Sequence, residues 1–154
     1  MVERTFERLV RYAARITGDL AEGEDVVQES YVKAYRALSE GGFEGRASVE
    51  TWLYSIVTRT AIDNRRRRGR RETYTDTLPE GSFDGEGAAD GHLALRELQG
   101  LLADLPEEQS SALVLQALEG FSNREIAAIL ECSEGAVEQR LVRARAALRS
   151  KVPE

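Results

Sequence analysis

A glutamine and two arginines, Gln139, Arg140 and Arg143, stand at helical spacing near the end of the sequence. Glutamine pairs with adenine, and arginine pairs with guanine or with phosphate, so these residue types suit the major groove of DNA. The chemistry that they indicate is recognition of a nucleic acid. On the other side of the same predicted helix, apolar residues repeat at i, i+4, i+7 and i+11, as in a helix packed on a core: Val137, Leu141, Ala144 and Leu148.

A short helix and a tight turn precede this stripe. Ser122 and Glu125 form a capping-box pattern at the start of the short helix. Glu131 and Cys132 make the turn, and Ser133 caps the second helix. Two helices across such a turn predict a helix-turn-helix, whose second helix fits a major groove. An ordinary helical hairpin with a solvated basic face has the same pattern, and this stretch alone leaves that alternative open.

A second basic cluster follows a helix pattern in the first half of the sequence. This pattern begins near Ser48, carries Trp52 and runs into Arg65–Arg71, which holds six arginines in seven positions. Aromatic residues followed by arginines suit a nucleic-acid backbone, whereas a basic run by itself is more often a solvated tail. Phe43, in the glycine-rich loop before this helix, is either a core anchor or a stacking platform for an unpaired base.

Four further helix patterns surround these two. They cover residues 2–17, about 19–38, 93–103 and a segment that begins at Pro106 and ends near Gly120. In the pattern at 19–38, the periodicity places Asp25 and Val26 on the far side, away from the core. The predicted buried side of that helix consists of Val27, Tyr31, Ala34, Tyr35 and Leu38.

Charge is distributed unevenly along the chain, although the net charge is −6. Residues 1–71 hold 14 Lys and Arg against 11 Asp and Glu, and residues 93–154 hold 7 against 10. Residues 72–92 hold six acids and no Lys or Arg, are rich in glycine and lack apolar periodicity, which predicts a flexible linker. The predicted fold class is therefore all-α, with two small helical domains at 1–71 and 93–154 joined by a flexible acidic linker, the C-terminal domain containing the helix-turn-helix.

The composition argues against several other functions. With one cysteine and one histidine, Cys132 and His92, the usual disulfide, zinc and general-base patterns are missing. A nuclease or another enzyme would need a carboxylate cluster for a metal, or a histidine-based site, and neither is visible. We therefore expect no catalytic residue, no metal and no cofactor. No apolar run approaches the roughly 20 residues of a membrane span, and no secretory leader opens the chain, so a cytoplasmic protein is expected.

In order and spacing, these features resemble the extracytoplasmic-function (ECF) sigma factors, the small promoter-recognition subunits of bacterial RNA polymerase. The resemblance covers nearly the whole chain, and its strength lies in the motifs occurring together. The matching residues are Gly18-Asp19 and Glu24–Glu29, then Trp52-Leu53, Ile56 and Ile62-Asp63 with the arginine run, then Leu105-Pro106-Glu107, Glu119-Gly120, Glu125-Ile126-Ala127, Gly135-Ala136-Val137, Arg140-Leu141 and Arg143-Ala144-Arg145.

The resemblance implies an alternative sigma factor that directs RNA polymerase to specific promoters and assists promoter melting. Residues 1–71 would be the region 2-like domain, which binds core polymerase and the minus-ten element, and residues 93–154 the region 4-like domain, which binds the minus-thirty-five element. The implied partners are core RNA polymerase, promoter DNA and an anti-sigma factor, without membrane insertion. The alternative is a sigma-like decoy that binds an anti-sigma regulator and does not start transcription.

The resemblance also assigns roles to individual residues, with no catalytic or metal-binding residue among them. Contacts to core polymerase fall on Asp25, Gln28 and Glu29. Contacts to the minus-ten element fall on Phe43, Trp52, Arg59, Asp63, Asn64, Arg65 and Arg66. Contacts to the minus-thirty-five element fall on Arg124, Ser133, Glu138, Gln139, Arg140 and Arg143.

Three positions depart from the family pattern. Arg59 stands where the family usually has asparagine, and Glu138 stands in a recognition helix where lysine or arginine is typical. Glu131 stands in the turn where glycine is common, so a positive φ there would strain the backbone by about 1 kcal/mol. Glu138 repels phosphate but can accept a hydrogen bond from cytosine, so the two DNA sequences do not follow from the family pattern.

Overall fold

The computed structural model describes residues 2–43, 45, 47–71, 100–102 and 104–151 of the 154-residue chain. Within these ranges the regular elements are all α-helices, as predicted, and residues 100–102 are also helical. The linker predicted at 72–92, and most of the helix predicted at 93–103, lie outside the described residues. The helices are α1 (Val2–Thr17), α2 (Leu20–Ser39), α3 (Val49–Arg71), α4 (Glu107–Ala117), α5 (Asn123–Leu130) and α6 (Glu134–Lys151).

Helices α1, α2 and α3 form an N-terminal unit in which each helix packs against the other two. Gly18 follows α1 with a φ of 85°, and Asp19 caps α2 by accepting a hydrogen bond from the amide of Ala21 at 3.0 Å. This cap satisfies one of the free amides that every helix start carries. The buried core of the unit includes Leu9, Tyr12, Ala13, Ile16, Val26, Val27, Tyr54, Val57 and Ala61.

Helices α1 and α2 approach each other closely at Gly23. A Cβ atom at this position would lie 2.8 Å from both the amide nitrogen of Ala14 and the carbonyl oxygen of Val10. Because both atoms belong to the backbone of α1, no side-chain movement relieves the overlap. The glycine therefore fixes which face of α2 meets α1.

The predicted buried side of α2 is partly wrong. Val26, assigned to the far side, is fully buried, whereas Tyr35 and Leu38 are 73% and 57% exposed. The contact at Gly23 turns α2 so that Gly23, Val26 and the buried Ser30 face the core. Glycine and serine carry no apolar signal, so the apolar periodicity alone placed the centre of the face too far round the helix.

Helices α4, α5 and α6 form a C-terminal unit, again with mutual contacts among all three. Pro106 stands at the N-cap of α4, and Gly120 adopts a φ of 77° in the connection to α5. Leu102, from the helical residues 100–102, is buried with this unit. Its core also includes Leu105, Ala112, Val114, Leu115, Phe121, Ile126, Ile129, Val137, Leu141 and Ala144.

The two units are in contact with each other. Helix α3 packs against α5, and α1 packs against α4. The buried apolar residues of both units join in one continuous cluster. At this contact the rings of Tyr54 and Phe121 meet edge to face, with their centroids 4.9 Å apart. Two helical units were predicted from the sequence, whereas their packing on one another was not.

Candidate nucleic-acid interface

The short helix α5 begins with the predicted capping box. The hydroxyl of Ser122 accepts a hydrogen bond from the amide of Glu125 at 3.2 Å, and the carboxylate of Glu125 accepts one from the amide of Ser122 at 3.0 Å. The hydrogen bond from the Ser122 amide, assisted by the Ser122 hydroxyl, stabilises the charged carboxylate and holds the pKa of Glu125 below its ordinary value. The start of the helix-turn-helix is thus fixed by contacts within four residues.

The turn between α5 and α6 has the strained geometry that the sequence suggested. Glu131 is in the left-handed region, with φ 55° and ψ 50°, and its amide donates to the carbonyl of Ala127. It is the one non-glycine residue with positive φ among the described residues. Ser133 then caps α6, because its hydroxyl accepts a hydrogen bond from the amide of Ala136 at 3.1 Å.

Helix α6 buries the predicted apolar stripe and presents the opposite face to solvent. Of the four residues in this stripe, Val137, Leu141 and Ala144 are buried, and Leu148 is half-buried. The exposed face carries residues at i, i+3, i+4, i+7 and i+8, the spacing of a single helix surface. These residues are Gly135, Glu138, Gln139, Val142 and Arg143.

The other residues predicted for the minus-thirty-five element differ in exposure and in hydrogen bonding. Arg124 is exposed on α5, and Ser133 is exposed but engaged as a cap. Arg140 is half-buried at the side of α6, where its guanidinium donates to the sulfur of Cys132 at 3.4 Å. The same guanidinium lies 3.7 Å from the carboxylate of Glu108. The structure thus gathers Glu138, Gln139 and Arg143 on one face and places Arg140 beside it.

Phe43, from the glycine-rich loop of the N-terminal unit, packs against Trp52 of α3. The ring centroids of Phe43 and Trp52 are 4.9 Å apart, with an interplanar angle of 51°. Ser48 caps this helix by accepting a hydrogen bond from the amide of Thr51 at 3.1 Å. Phe43 is half-buried by this contact, so it both anchors the loop and keeps an exposed ring surface beside Trp52.

Four of the residues predicted for the minus-ten element share one face of α3. Trp52, Arg59, Asp63 and Arg66 stand at i, i+7, i+11 and i+14, which brings them into line along the helix. Asn64 and Arg65 lie outside this line and are half-buried. We call the line formed by Trp52, Arg59, Asp63 and Arg66, together with Phe43, the α3 face.

Two arginines of the α3 face form ion pairs with the C-terminal unit. The guanidinium of Arg59 is paired with the carboxylate of Glu131 in the turn of the helix-turn-helix. The guanidinium of Arg66 donates to the carboxylate of Glu107 at 3.2 Å. Farther along the arginine run, Arg68 pairs with Glu22 of α2 at 2.7 Å. In the described part of the arginine run, Arg66 and Arg68 are therefore paired with carboxylates.

The residues predicted to bind core polymerase lie on the outer face of α2. Asp25, Gln28 and Glu29 are all exposed. Farther along the same face, Val32 is 51% exposed, and Tyr35 is more exposed still. The exposed Lys33 and Arg36 lie on the same part of the helix, so the face carries acidic, basic and apolar side chains together.

Sequence analysis missed a buried ionic cluster between the two units. The carboxylate of Glu119, which follows α4, is only 3% exposed. It accepts hydrogen bonds from Arg8 and Arg15, each at 3.0 Å, and from the hydroxyl of Tyr54 at 2.8 Å. Burial and the neighbouring Glu119 charge raise the pKa of Tyr54, and the hydrogen bond to Glu119 raises the pKa of Arg8. No periodic pattern marks these four residues in the sequence.

Two other kinds of site are absent from the part of the chain that the structure describes. No group of three or more histidine, cysteine, aspartate or glutamate side chains there is arranged to hold a metal ion. In the same residues, no helix combines the length and the apolar character required to cross a membrane.

Comparison with protein families and known proteins agrees with this geometry. Residues 1–71 match the family model for sigma-70 region 2, and residues 95–148 match that for sigma-70 region 4. The RNA polymerase sigma-H factor of Pseudomonas aeruginosa is 36% identical over 95% of this chain and 85% of its own length. The ECF RNA polymerase sigma-E factor of Salmonella typhimurium is 38% identical over 83% of this chain and 72% of its own length.

Two solved structures match nearly the whole chain at 28% identity. One is the sigma factor RpoE of Bartonella quintana in complex with the anti-sigma factor NepR, with a TM-score of 0.75 over 99% of this chain and 96% of that one. The other is CnrH in complex with the cytosolic domain of CnrY, with a TM-score of 0.71 over 97% and 82% of the two chains.

The two helical units, the helix-turn-helix and these matches show that the chain belongs to the sigma-70 family of RNA polymerase sigma factors. Within that family it is an ECF sigma factor, an alternative sigma factor that directs RNA polymerase to promoters. Members of the family are regulatory factors of transcription initiation and are generally not enzymes.

Proposed function

We propose that this sigma factor reads promoter DNA through two separate helix faces and binds core polymerase through a third. The observation that carries the proposal is the exposed face of α6, where Gln139 and Arg143 stand on a helix held by a helix-turn-helix. Region 2 comprises residues 1–71 and region 4 comprises residues 93–154, with residues 72–92 as the linker between them.

The minus-thirty-five element binds to the exposed face of α6, which carries Glu138, Gln139 and Arg143. Gln139 and Arg143 supply contacts to base edges, and Glu138 accepts from cytosine. Arg124, from the first helix of the motif, contacts phosphate, as does Arg140 at the side of α6. The start of α6 supports this arrangement, since Gly135 is exposed there and leaves room for a phosphate near the amides of the first turn.

The minus-ten element binds to the α3 face as an opened strand. Phe43 and Trp52 supply aromatic surfaces on which an unpaired base stacks. Arg59, Arg65 and Arg66 neutralise phosphates, and Asp63 and Asn64 provide polar contacts to bases. The alignment of Trp52 with Arg59 and Arg66 supports this assignment, because a strand that follows the helix meets an aromatic ring and then two cations.

Core polymerase binds to the outer face of α2, through Asp25, Gln28 and Glu29. The exposed apolar residues Val32 and Tyr35, farther along the face, support a protein partner there. The polymerase performs the chemistry, so the sigma factor itself needs no catalytic residue. It acts in the cytoplasm, together with the polymerase. By analogy with RpoE and CnrH, which were solved with NepR and CnrY, an anti-sigma factor is a further partner.

Replacing Gln139 and Arg143 together by alanine tests the α6 face. We expect promoter-specific initiation in vitro to fall about tenfold or more, since each good base contact contributes roughly 1–3 kcal/mol of discrimination. Association with core polymerase should be unchanged. Lys151→Ala is the control, because it also removes one cation from α6, but from a side chain that pairs with Asp104 at 3.2 Å.

Normal initiation by the double variant would contradict the assignment of the minus-thirty-five surface. The decoy interpretation makes a different prediction for the wild-type chain, because it expects tight association with core polymerase and no transcript. In vitro transcription with purified core polymerase separates the two functions, once transcript starts in cells that overproduce the protein have identified a promoter.

A further inference from the structure

Arg68 lies on the buried side of α3. In an α-helix, residues separated by seven or fourteen positions lie nearly in line with one another. Arg68 therefore continues the side of α3 that buries Tyr54, Val57 and Ala61. Arg66, on the α3 face, stands two residues earlier and so lies on nearly the opposite side of the helix. The arginine run is thus divided between two sides of one helix.

The side chain of Arg68 contacts a carboxylate of α2. Its guanidinium donates a hydrogen bond to Glu22 at 2.7 Å, and the two side chains are only 18% and 27% exposed. Glu22 stands in the first turn of α2, so the pair joins the start of α2 to the last turn of α3. Exposed ion pairs contribute little, whereas breaking a largely buried pair leaves a charge that water does not fully solvate. The contact therefore holds the two helix ends together.

The end of α3 carries charge in place of apolar packing. Residues 63–71 contain no apolar side chain, and Gly69 among them is a poor helix former. The helix dipole favours cations at this end, but arginines three or four positions apart repel each other. The ion pair of Arg66 with Glu107 is the more exposed one, since its arginine side chain is 55% exposed. The pair of Arg68 with Glu22 is therefore the better anchor for this segment.

We propose that Arg68 is a positioning residue: together with Glu22 it fixes the end of α3, so that Arg65 and Arg66 meet the minus-ten strand in a defined place. This inference rests on the function proposed above for the α3 face. Arg68 itself does not contact phosphate, because its guanidinium is engaged with α2 on the other side of the helix. Glu22 thus serves DNA binding, although it is an acid and belongs to a different helix.

Glu22→Gln in the holoenzyme tests the anchor, because charge and positioning predict opposite effects. The amide removes one negative charge, and by charge alone a polyanion should then bind more tightly. Loss of the anchor should instead weaken binding, since Arg65 and Arg66 are no longer held in place. The probe is a fluorescent single-stranded oligonucleotide with the non-template minus-ten sequence of a promoter that the holoenzyme transcribes. Glu7→Gln, an exposed position on α1, is the charge-matched control.

We expect the holoenzyme with Glu22→Gln to bind the oligonucleotide about fivefold more weakly than the wild type, at the lower end of the usual coupling between two sites. Arg68→Gln should weaken binding by a similar factor, because it removes the other half of the same ion pair. Glu7→Gln should bind as tightly as the wild type or slightly more tightly. Equal or tighter binding by Glu22→Gln would overturn the proposal.

An exchange of the two charges distinguishes positioning from direct contact with phosphate. Glu22→Arg combined with Arg68→Glu restores the ion pair in the reverse direction and leaves the net charge unchanged. If Arg68 positions α3, the double variant should bind the oligonucleotide more tightly than either single variant. It should remain weaker than the wild type, since an arginine in the first turn of α2 opposes the helix dipole. A double variant that binds no better than Arg68→Glu would show that Arg68 contacts phosphate, and the proposal is then wrong.

Hydrogen exchange of the free chain separates this inference from the proposed function, because it involves no DNA. The amides of residues 64–71 should exchange faster in Glu22→Gln than in the wild type, whereas those of residues 9–16 in α1 should be unchanged in a folded variant. Unchanged exchange at 64–71 would overturn the anchor, even if the holoenzyme binds the oligonucleotide. Failure of the wild-type holoenzyme to bind the oligonucleotide, with faster exchange in Glu22→Gln, instead contradicts the function proposed for the α3 face.

Discussion

At the scale of single residues, Glu131 combines a local strain with a distant contact. Its backbone is left-handed, a conformation in which a side chain other than glycine is strained. Its carboxylate meanwhile pairs with Arg59, which is 72 residues away in the sequence. Both groups are mostly exposed, and ion pairs of this kind contribute little to stability. The strain is therefore the larger of the two effects.

We predict that Glu131→Gly stabilises the fold by about 0.5–1 kcal/mol, because glycine adopts positive φ without strain. Glu131→Ala is the matched control, since it removes the same ion pair and keeps the strain, and it should be neutral or slightly destabilising. Chemical denaturation followed by circular dichroism measures the difference. If glycine and alanine have the same effect, the backbone strain is not significant.

How far the sequence predicts individual residues depends on the distance between interacting partners. The capping box of Ser122 and Glu125 was predicted because both of its hydrogen bonds join residues three apart. The surroundings of Glu119 were not, because its partners Arg8 and Arg15 are 111 and 104 residues away. A local pattern reports on local contacts, and the match of Glu119-Gly120 to the family pattern carries no information about which distant side chains surround Glu119.

At the scale of the helices, Gly23 decides how α2 is oriented. The existence and approximate limits of α1, α2, α5 and α6 follow from apolar periodicity and from caps, which are properties of one helix. The buried side of α2 depends instead on where α1 crosses it. The helix itself was therefore predicted correctly. Its buried side was placed too close to Tyr35 and Leu38, which are exposed in the structure.

We predict that Gly23→Ala destabilises the N-terminal unit by about 1–3 kcal/mol, because the added methyl group meets two backbone atoms of α1 at 2.8 Å. Gly69→Ala in α3 is the control. A Cβ at Gly69 meets no atom within 4 Å, so the helix propensity of alanine should stabilise by about 0.5–1 kcal/mol. Thermal unfolding of the two variants should therefore shift in opposite directions. A Gly23→Ala protein as stable as the wild type would mean that α1 and α2 do not cross this closely.

At the scale of the whole molecule, three surfaces are exposed in different ways. The outer face of α2 and the exposed face of α6 are open to solvent, whereas two arginines of the α3 face, Arg59 and Arg66, pair with carboxylates of the C-terminal unit. The sequence predicts two helical units because residues 72–92, which separate the two sets of helix patterns, are acidic and rich in glycine. Their packing does not follow, because it depends on contacts between residues far apart in the sequence: a shared apolar cluster, the aromatic pair of Tyr54 with Phe121, and the ionic contacts of Glu119.

We predict that Asp25→Arg weakens association with core polymerase about fivefold or more, since reversing a charge within an interface creates unfavourable pairs. Asp25 is exposed on α2, so the folded structure should be unaffected. Glu7→Arg, an equal change in charge on α1, is the control and should bind like the wild type. Co-purification and a titration with labelled core polymerase both measure the effect. If the two variants bind core polymerase equally well, Asp25 of α2 does not lie in the polymerase interface.

The contact of Phe43 with Trp52 has a practical consequence. Trp52 is the single tryptophan of the chain, and the loop residue Phe43 packs directly on its ring. The ultraviolet emission of the unlabelled protein therefore comes largely from one indole whose surroundings include this loop. If an unpaired base stacks on Phe43 and Trp52 as proposed, the polarity around that indole changes, and the intrinsic fluorescence of the protein then reports binding of the strand without a label.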